Sequence, residues 1–389
     1  MDAETIFRET VEKDASYVMQ SYGRLPLLFT GGKGAVLTDI FGKEYIDCVA
    51  GIAVNAVGYG DERLSKAIAE QASSLIHVSN LYYNIPQAEL AEKLVKLTGM
   101  SRIFFGNSGA EAMEAAIKLA RLHTGKSKFI AANHSFHGRT VGALGLTATE
   151  KYRVPFSPLV QSATFVEYGD IDALEKAVTD EIAAVVLEPI QGEGGVHVPE
   201  KEYLQAVRRL CDEKGILLIF DEVQTGFGRT GKWFCKDHFG VCPDIMTMAK
   251  AIAGGLPMGA IAAREGLSFD KGQHASTFGG SPLVCAAALA SLSVFDQDGL
   301  VERSAEMGAY FMEKLSQMSR TDVVSVRGKG LMIGIELDHE CGYVAAKAQE
   351  RGVLVNVTAG NVIRLVPPLV ITKEQIDKVV AVIDSVRKD

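Results

Sequence analysis

Between Gly215 and Gly259 the chain reads GILLIFDEVQTGFGRTGKWFCKDHFGVCPDIMTMAKAIAGGLPMG, and two residues in it, Asp221 and Lys250, could do chemistry together. The apolar run Ile216, Leu217, Leu218, Ile219, Phe220 ends on Asp221 and Glu222. Such a run suits a strand buried on both faces of a parallel sheet, and open α/β sheets gather ligands at the carboxyl ends of their strands. A second short run, from Asp244 to Ala249, delivers Lys250 and then the flexible pair Gly254-Gly255. A carboxylate and a lysine, each leaving the end of a buried strand, can meet in one crevice. That pairing suits pyridoxal 5'-phosphate (PLP), which needs a lysine for its aldehyde and an acid for its ring nitrogen.

Two other patterns overlap this stretch. Gly226-Phe227-Gly228-Arg229-Thr230-Gly231 matches G-x-G-x-x-G, but a dinucleotide fingerprint turns straight from strand to helix. Here five residues, Asp221 to Thr225, follow the strand first, and Lys232-Trp233-Phe234-Cys235 shows no helical start. The same glycines give G-x-x-x-x-G-K, with Trp233 where a phosphate loop carries Ser or Thr. Both readings are rejected, a nicotinamide oxidoreductase with them. The glycines are expected to form a mobile or tightly turned loop beside the site.

An anion site is expected elsewhere. Ile103-Phe104-Phe105 runs into Gly106-Asn107-Ser108-Gly109-Ala110-Glu111 and then a helical pattern through Ala116, Ile117 and Ala120. Strand, small polar loop and helix start together point amides and a helix dipole at a phosphate, although an ordinary capped turn looks the same. The lysine and carboxylate already found favour the cradle.

A length of 389 residues favours two domains. A net charge of −8 gives no footprint for nucleic acid, and charged residues interrupt every apolar stretch before it could span a bilayer. The six cysteines contain no C-x-x-C pair, so reduced thiols in a cytoplasmic protein are expected. His134 and His137 form H-x-x-H without a further ligand, so no metal is expected. From 128 to 258, strand-like runs (128–132, 182–187, 216–220, 245–248) alternate with helical ones (171–178, 201–213), the grammar of a parallel sheet wrapped by helices. Upstream, a hairpin turning at Phe41-Gly42-Lys43 precedes helices at 61–75 and 86–98. After Ser281 come helices at 282–296 and 301–317, strands at 323–327 and 331–337, a helix at 343–351, and strands at 353–357 and 362–366. Thr372-Lys373-Glu374-Gln375 has capping-box spacing before a final helix.

Over almost the whole chain, NSGAEAMEAAIKLAR, SFHGRTVGAL, LEPIQGEGGV, FDEVQTGFGRTG, AKAIAGGLPMGA, STFGG and IRLVPPL resemble the class III (subgroup II) aminotransferases of PLP fold type I. One departure is Ser281, where STFGG is usually followed by Asn-Pro. The resemblance implies an α/β fold: a large domain (56–285) with a mostly parallel seven-stranded sheet flanked by helices. A smaller α+β domain would come from the N-terminal (1–55) and C-terminal (286–389) segments. It also implies roles. Lys250 would bond the cofactor and shuttle a proton; Asp221 would keep the ring nitrogen protonated. Phe136 would stack on the ring and Gln224 reach its hydroxyl. Ser108, Gly109 and Ala110 would hold the phosphate, joined by Thr277 from the neighbouring subunit of a homodimer whose active sites lie at the subunit interface. Arg139, Tyr22 and Ser276 would face substrate. Arg364 would bind the α-carboxylate of glutamate or 2-oxoglutarate, with Glu193 masking it when the other substrate binds.

The reaction implied is amino transfer between N-acetylornithine and 2-oxoglutarate, giving N-acetylglutamate 5-semialdehyde and glutamate, with the reverse direction serving arginine biosynthesis. Succinylornithine, ornithine, N-acetyl-lysine or 4-aminobutyrate are alternative donors, and a catalytically inactive PLP-binding scaffold is the alternative of another class. Taken singly, each residue has an ordinary reading: Asp221 a turn, Lys250 a solvated charge, Phe136 core, Arg364 a surface cation. Their joint order and spacing is what argues otherwise.

Overall fold

The computed structural model describes residues 1–160 and 163–388. Its strands, in chain order, are β1 (Phe29–Lys33), β2 (Val36–Asp39), β3 (Glu44–Asp47), β4 (Arg102–Gly106), β5 (Lys128–Ala132), β6 (Ala163–Val166), β7 (Ile182–Leu187), β8 (Leu217–Asp221), β9 (Ile245–Met248), β10 (Gly259–Ala263), β11 (Val323–Lys329), β12 (Met332–Leu337), β13 (Val353–Leu354), β14 (Asn356–Thr358) and β15 (Val362–Leu365). They form a seven-stranded sheet in the order β4-β10-β9-β8-β7-β5-β6 and two four-stranded sheets, β1-β2-β3-β13 and β11-β12-β15-β14.

The large sheet is parallel apart from β10, which runs antiparallel to both neighbours. Its central strands are buried along their whole length because both faces are covered, and alternate side chains serve opposite cores. On one face, Ala112, Met113, Ala116 and Leu119 of helix Gly109–Thr124 pack on Phe129, Ala184, Val186, Ile219 and Ile261. On the other, Leu174, Leu204, Val207 and Leu210 of helices Ile171–Ala177 and Lys201–Lys214 pack on Ile130, Val185, Leu187, Leu218 and Phe220. The alanines of helix Gly109–Thr124 let it approach the sheet closely, which fixes where its N-terminus points.

Three strands have no clear signal in the sequence. Phe29–Lys33 is glycine-rich, Gly259–Ala263 alanine-rich, and Ala163–Val166 short; each forms because a partner edge is waiting. The single strand expected at 353–357 is two. Val353–Leu354 pairs in parallel with Ile46–Asp47, joining the N-terminal hairpin to the C-terminal third of the chain. Asn356–Thr358 pairs with β15 instead. No Gly or Pro falls within 353–358 to mark a break, so only long-range pairing could divide the run. At the last helix, Lys373–Ser385, the capping box forms: Gln375 N donates to Thr372 Oγ1 (3.3 Å) and Thr372 N to Gln375 Oε1 (3.0 Å).

Candidate active site

β8 and β9 are parallel neighbours with Asp221 opposite Thr247, so Asp221 and Lys250 leave the same edge of the sheet side by side. The segments after β4, β5 and β7 leave that edge too. Together they enclose a cavity of 430 Å³ lined by Ser108, Gly109, Ala110, Phe136, Arg139, Glu193, Asp221, Gln224 and Lys250, among others. Arg364 lies behind Glu193 and Gln224, wholly buried. Three expected residues are not brought to this cavity. Tyr22 is 71% exposed and lines a separate depression beside helix Ala3–Tyr17. Thr277 is exposed, and Ser276 Oγ accepts from Asn107 Nδ2 (3.2 Å) outside the lining.

Part of the lining is built for an anion. Ser108 caps helix Gly109–Thr124 through Glu111 N (3.1 Å), so the first-turn amides of Gly109 and Ala110 remain free to face a ligand. Glu111, the nearby carboxylate, is turned back onto Asn107 N (2.9 Å) and Nδ2 (2.8 Å). The loop tolerates no bulk: a Cβ at Gly109 would come 2.9 Å from Val223 Cγ1, and one at Gly259 2.0 Å from Ser108 O.

Asp221 also lines the cavity. Its Oδ1 accepts from Val223 N (3.1 Å) and Thr247 Oγ1 (3.0 Å), and its Oδ2 meets His137 Nδ1 at 2.7 Å. Burial alone would lower the His137 pKa, but the bond to Asp221 and the charges of Asp221 and Glu188 outweigh it and raise it. Glu188, buried, accepts from Phe136 N (3.0 Å) and Gly192 N (2.8 Å); burial pushes its carboxyl up to about 7. It thereby ties the loop bearing Phe136 to the loop bearing Glu193. Lys250, in the same lining, stands at φ 49°, a conformation that costs about 1–3 kcal/mol in a non-glycine residue and persists only where its surroundings enforce it. Burial lowers the pKa of its amine, with Arg364 acting the same way and Glu193 against it.

Glu193 Oε1 meets Arg364 Nη1 at 2.5 Å, and Gln224 bridges them, donating to Glu193 (3.3 Å) and accepting from Arg364 (3.3 Å). Arg364 Nη2 donates to Asn356 Oδ1 (2.9 Å), while its Nε is buried without a partner among the described residues. Burial opposes ionisation of Glu193, yet the guanidinium holds its carboxyl below the usual range. Arg139, at the cavity's exposed rim, lies with its guanidinium 3.5 Å from the Tyr152 ring centroid and 5.5 Å from that of Phe136.

Glu222, which the sequence left without a role, organises the glycine loop. Its carboxylate accepts from Thr225 Oγ1 (2.5 Å), Cys235 N (2.9 Å) and Lys236 N (2.7 Å), and burial pushes it up to about 7. The loop is buried and tightly turned, with φ of 53°, 74° and 85° at Phe227, Gly228 and Gly231. It packs on helix Leu300–Ser316, where a Cβ at Gly231 would come 2.9 Å from that of Ala305, and lines no part of the cavity. Glu222→Ala should therefore cost stability more than chemistry. Roughly 3 kcal/mol or more is expected, since each buried donor left unpaired costs about 1–3 kcal/mol. Urea unfolding with saturating cofactor checks this.

His137, Glu188, Tyr152 and Asn356 escaped the reading of the sequence. His137 appeared only in H-x-x-H, and its two histidines part company: His137 goes to Asp221, His134 beside the His197 ring (5.7 Å between centroids). No local signal marks a residue whose partner lies 84 positions away.

The residues present fit PLP. A phosphorylated pyridine needs an anion-binding helix start, an acid for its ring nitrogen, an amine between them and an aromatic side chain nearby, and the lining supplies all four. Residues 17–386 match the family model described as aminotransferase class-III. Acetylornithine aminotransferase of Methanosarcina mazei is 65% identical over 380 residues, 97% of this chain and 96% of that protein. The enzyme of the same description from Methanothermobacter thermautotrophicus is 52% identical over the full length of both chains. Among solved structures, ornithine aminotransferase of Toxoplasma gondii superposes with a TM-score of 0.93 at 34% identity, covering 97% of this chain and 94% of that one. Acetylornithine aminotransferase of Elizabethkingia anophelis gives 0.85 at 33% identity, covering 97% and 98%.

Proposed function

From the premise that this chain belongs to the class III aminotransferases, which use PLP, we propose that its donor is N-acetylornithine and its acceptor 2-oxoglutarate. The bound cofactor supplies an electron sink for the carbon that loses its proton. The observation that carries the substrate assignment is Arg364, fully buried behind the Glu193 carboxylate that pairs with it. An exposed guanidinium would capture any α-carboxylate, and planar bidentate recognition is what arginine does best. Glutamate needs that capture, to bring its α-carbon to the reacting centre. N-acetylornithine must avoid it, because its α-carboxylate lies at the end remote from the reacting amine; Arg139 at the rim receives that end. Lys250, its basicity lowered by burial, moves the proton. Asp221 holds the positive charge of the ring nitrogen, and His137 orients Asp221.

We infer that the working unit is a homodimer. Ile76 (56% exposed), Leu81 (84%), Tyr82 (65%) and Tyr83 (105%) lie on one segment and Phe278 (62%) beside Thr277 on another, and Asn80 Nδ2 ties the two by donating to Ser276 O (3.0 Å) and Gly279 O (2.9 Å). An exposed apolar group of this kind marks an interface; there Thr277 would reach the partner's phosphate. Six free cysteines suit a cytoplasmic enzyme.

Single-turnover rates with separate amino donors, followed by cofactor absorbance, test the assignment. N-acetylornithine should outrun ornithine, N-acetyl-lysine and 4-aminobutyrate. Glu193→Ala should speed reaction with glutamate and slow reaction with N-acetylornithine, and Arg364→Ala should do the reverse. A fully buried pair that loses one partner costs roughly 3–5 kcal/mol. Glu193 keeps 34% side-chain exposure, so a smaller effect of about tenfold is expected in the ratio of the two rates. Equal slowing of both half-reactions would reduce Glu193 to a loop-ordering residue.

A further inference from the structure

The gate needs a carboxylate that can leave Arg364 and return to the same place. Glu193 sits on a loop, Gly192–His197, and loops are the mobile parts of a fold. Something must keep this one still. The register of the third sheet shows what does. Arg327 of β11 lies opposite Gly334 of β12, Gly334 opposite Arg364 of β15, and Arg364 opposite Asn356 of β14. Residues opposite one another in antiparallel strands put their side chains on the same face, so Arg327 and Arg364 rise from one face on either side of a glycine. Two strand spacings separate them, about 10 Å. Glu193 and Val196 are three residues apart on a turn in which Gly195 N donates to Gly192 O (3.4 Å), and each of the two reaches one of the arginines.

The loop lies across that row. Glu193 is on Arg364, while Arg327 Nε donates to Val196 O (3.0 Å) and Gly195 O (3.2 Å), and its Nη2 to Gly195 O (2.7 Å). Val196 fills the gap above Gly334, where a Cβ would come 2.9 Å from its own Cβ, and it does so at φ 54°. Arg327 is itself fixed by Ser325 and by a salt bridge to Glu336. At the other end Glu188 holds Gly192 N (2.8 Å), and Thr358 Oγ1 donates to the Glu193 carbonyl.

We propose that Arg327 is a positioning residue for donor specificity: its grip on the Gly195 and Val196 carbonyls fixes the backbone under Glu193, so that the gate works by side-chain rotation on a still loop. This rests on the reading of Glu193 as the mask of Arg364. Without the guanidinium fork, the loop drifts and the carboxylate covers Arg364 for only part of the time.

The test compares wild type, Glu193→Ala, Arg327→Met and the double variant, each as the holoenzyme, in single turnover with glutamate and with N-acetylornithine. Arg327→Met should lower the N-acetylornithine-to-glutamate rate ratio by roughly fivefold, as loss of charge-assisted bonds to the loop implies. In the Glu193→Ala background it should change that ratio no further. Equilibrium binding of glutarate, an unreactive dicarboxylate, gives an independent readout by calorimetry. It should tighten in Arg327→Met and show no added tightening in the double variant. Arg327→Lys keeps the charge without the fork and should give a smaller shift of the same sign, which maintains the test if the methionine variant folds poorly. An unchanged ratio in both Arg327 variants, or an equal shift in the Glu193→Ala background, would overturn the inference while leaving the mask intact. If Glu193→Ala itself leaves the ratio unmoved, the mask falls and the inference with it.

Discussion

Lys250→Ala is expected to retain PLP and lose transamination. Retention follows from the geometry: the helix start at 108–110 and the carboxylate of Asp221 remain in place in the cavity lining. What disappears is the amine. The carboxylates nearest to it, Glu193 and Asp221, are engaged with Arg364 and with His137 and Thr247, so neither is free to carry a proton in its place. General acid–base catalysis by a positioned group contributes typically 10²–10⁴-fold, so a fall of at least about 10³-fold is expected in single turnover with either amino donor. Cofactor retention measured by absorbance after gel filtration separates loss of chemistry from loss of the site. Near-wild-type turnover would remove Lys250 from the mechanism.

Asp221→Asn should have the next largest effect with the fold unchanged. The amide oxygen can still accept from Val223 N and Thr247 Oγ1 at the Oδ1 position. Its NH₂ would then occupy the Oδ2 position, 2.7 Å from His137 Nδ1, and would present a donor to the imidazole in place of a charged acceptor. The negative charge that keeps the ring nitrogen protonated is lost at the same time. Removing one preorganised electrostatic contact costs about 10²–10³-fold in kcat, and a loss of that order is expected. A loss below about tenfold, roughly 1.4 kcal/mol, would count against the assignment. Unchanged urea midpoints of the apoprotein would show that the effect lies in the chemistry.

How much of this was legible beforehand differs between residues, for physical reasons. The strands that carry Asp221 and Lys250 could be read because a parallel strand buried on both faces must be continuously apolar, and its end must be where polarity resumes. The start of helix Gly109–Thr124 was legible because a cap has a local chemistry. The sequence places the glycine loop beside the site, yet it is buried under helix Leu300–Ser316, since G-x-G-x-x-G records backbone freedom and says nothing of what uses it. The resemblance implies Tyr22 at the substrate, and the structure leaves it on a separate surface.

By itself, then, the sequence determined the kinds of element, the two groups that could hold a cofactor between them, and the presence of an arginine and a glutamate with no local partner. Only the tertiary structure decided which of these meet. Asp221 and Lys250 are neighbours because β8 and β9 are adjacent and parallel. His137 reaches Asp221 across 84 residues, and Arg364 reaches Glu193 across 171. Such pairings follow from strand order and register, which are settled by burial over the whole chain. A segment of ten or twenty residues carries no information about them.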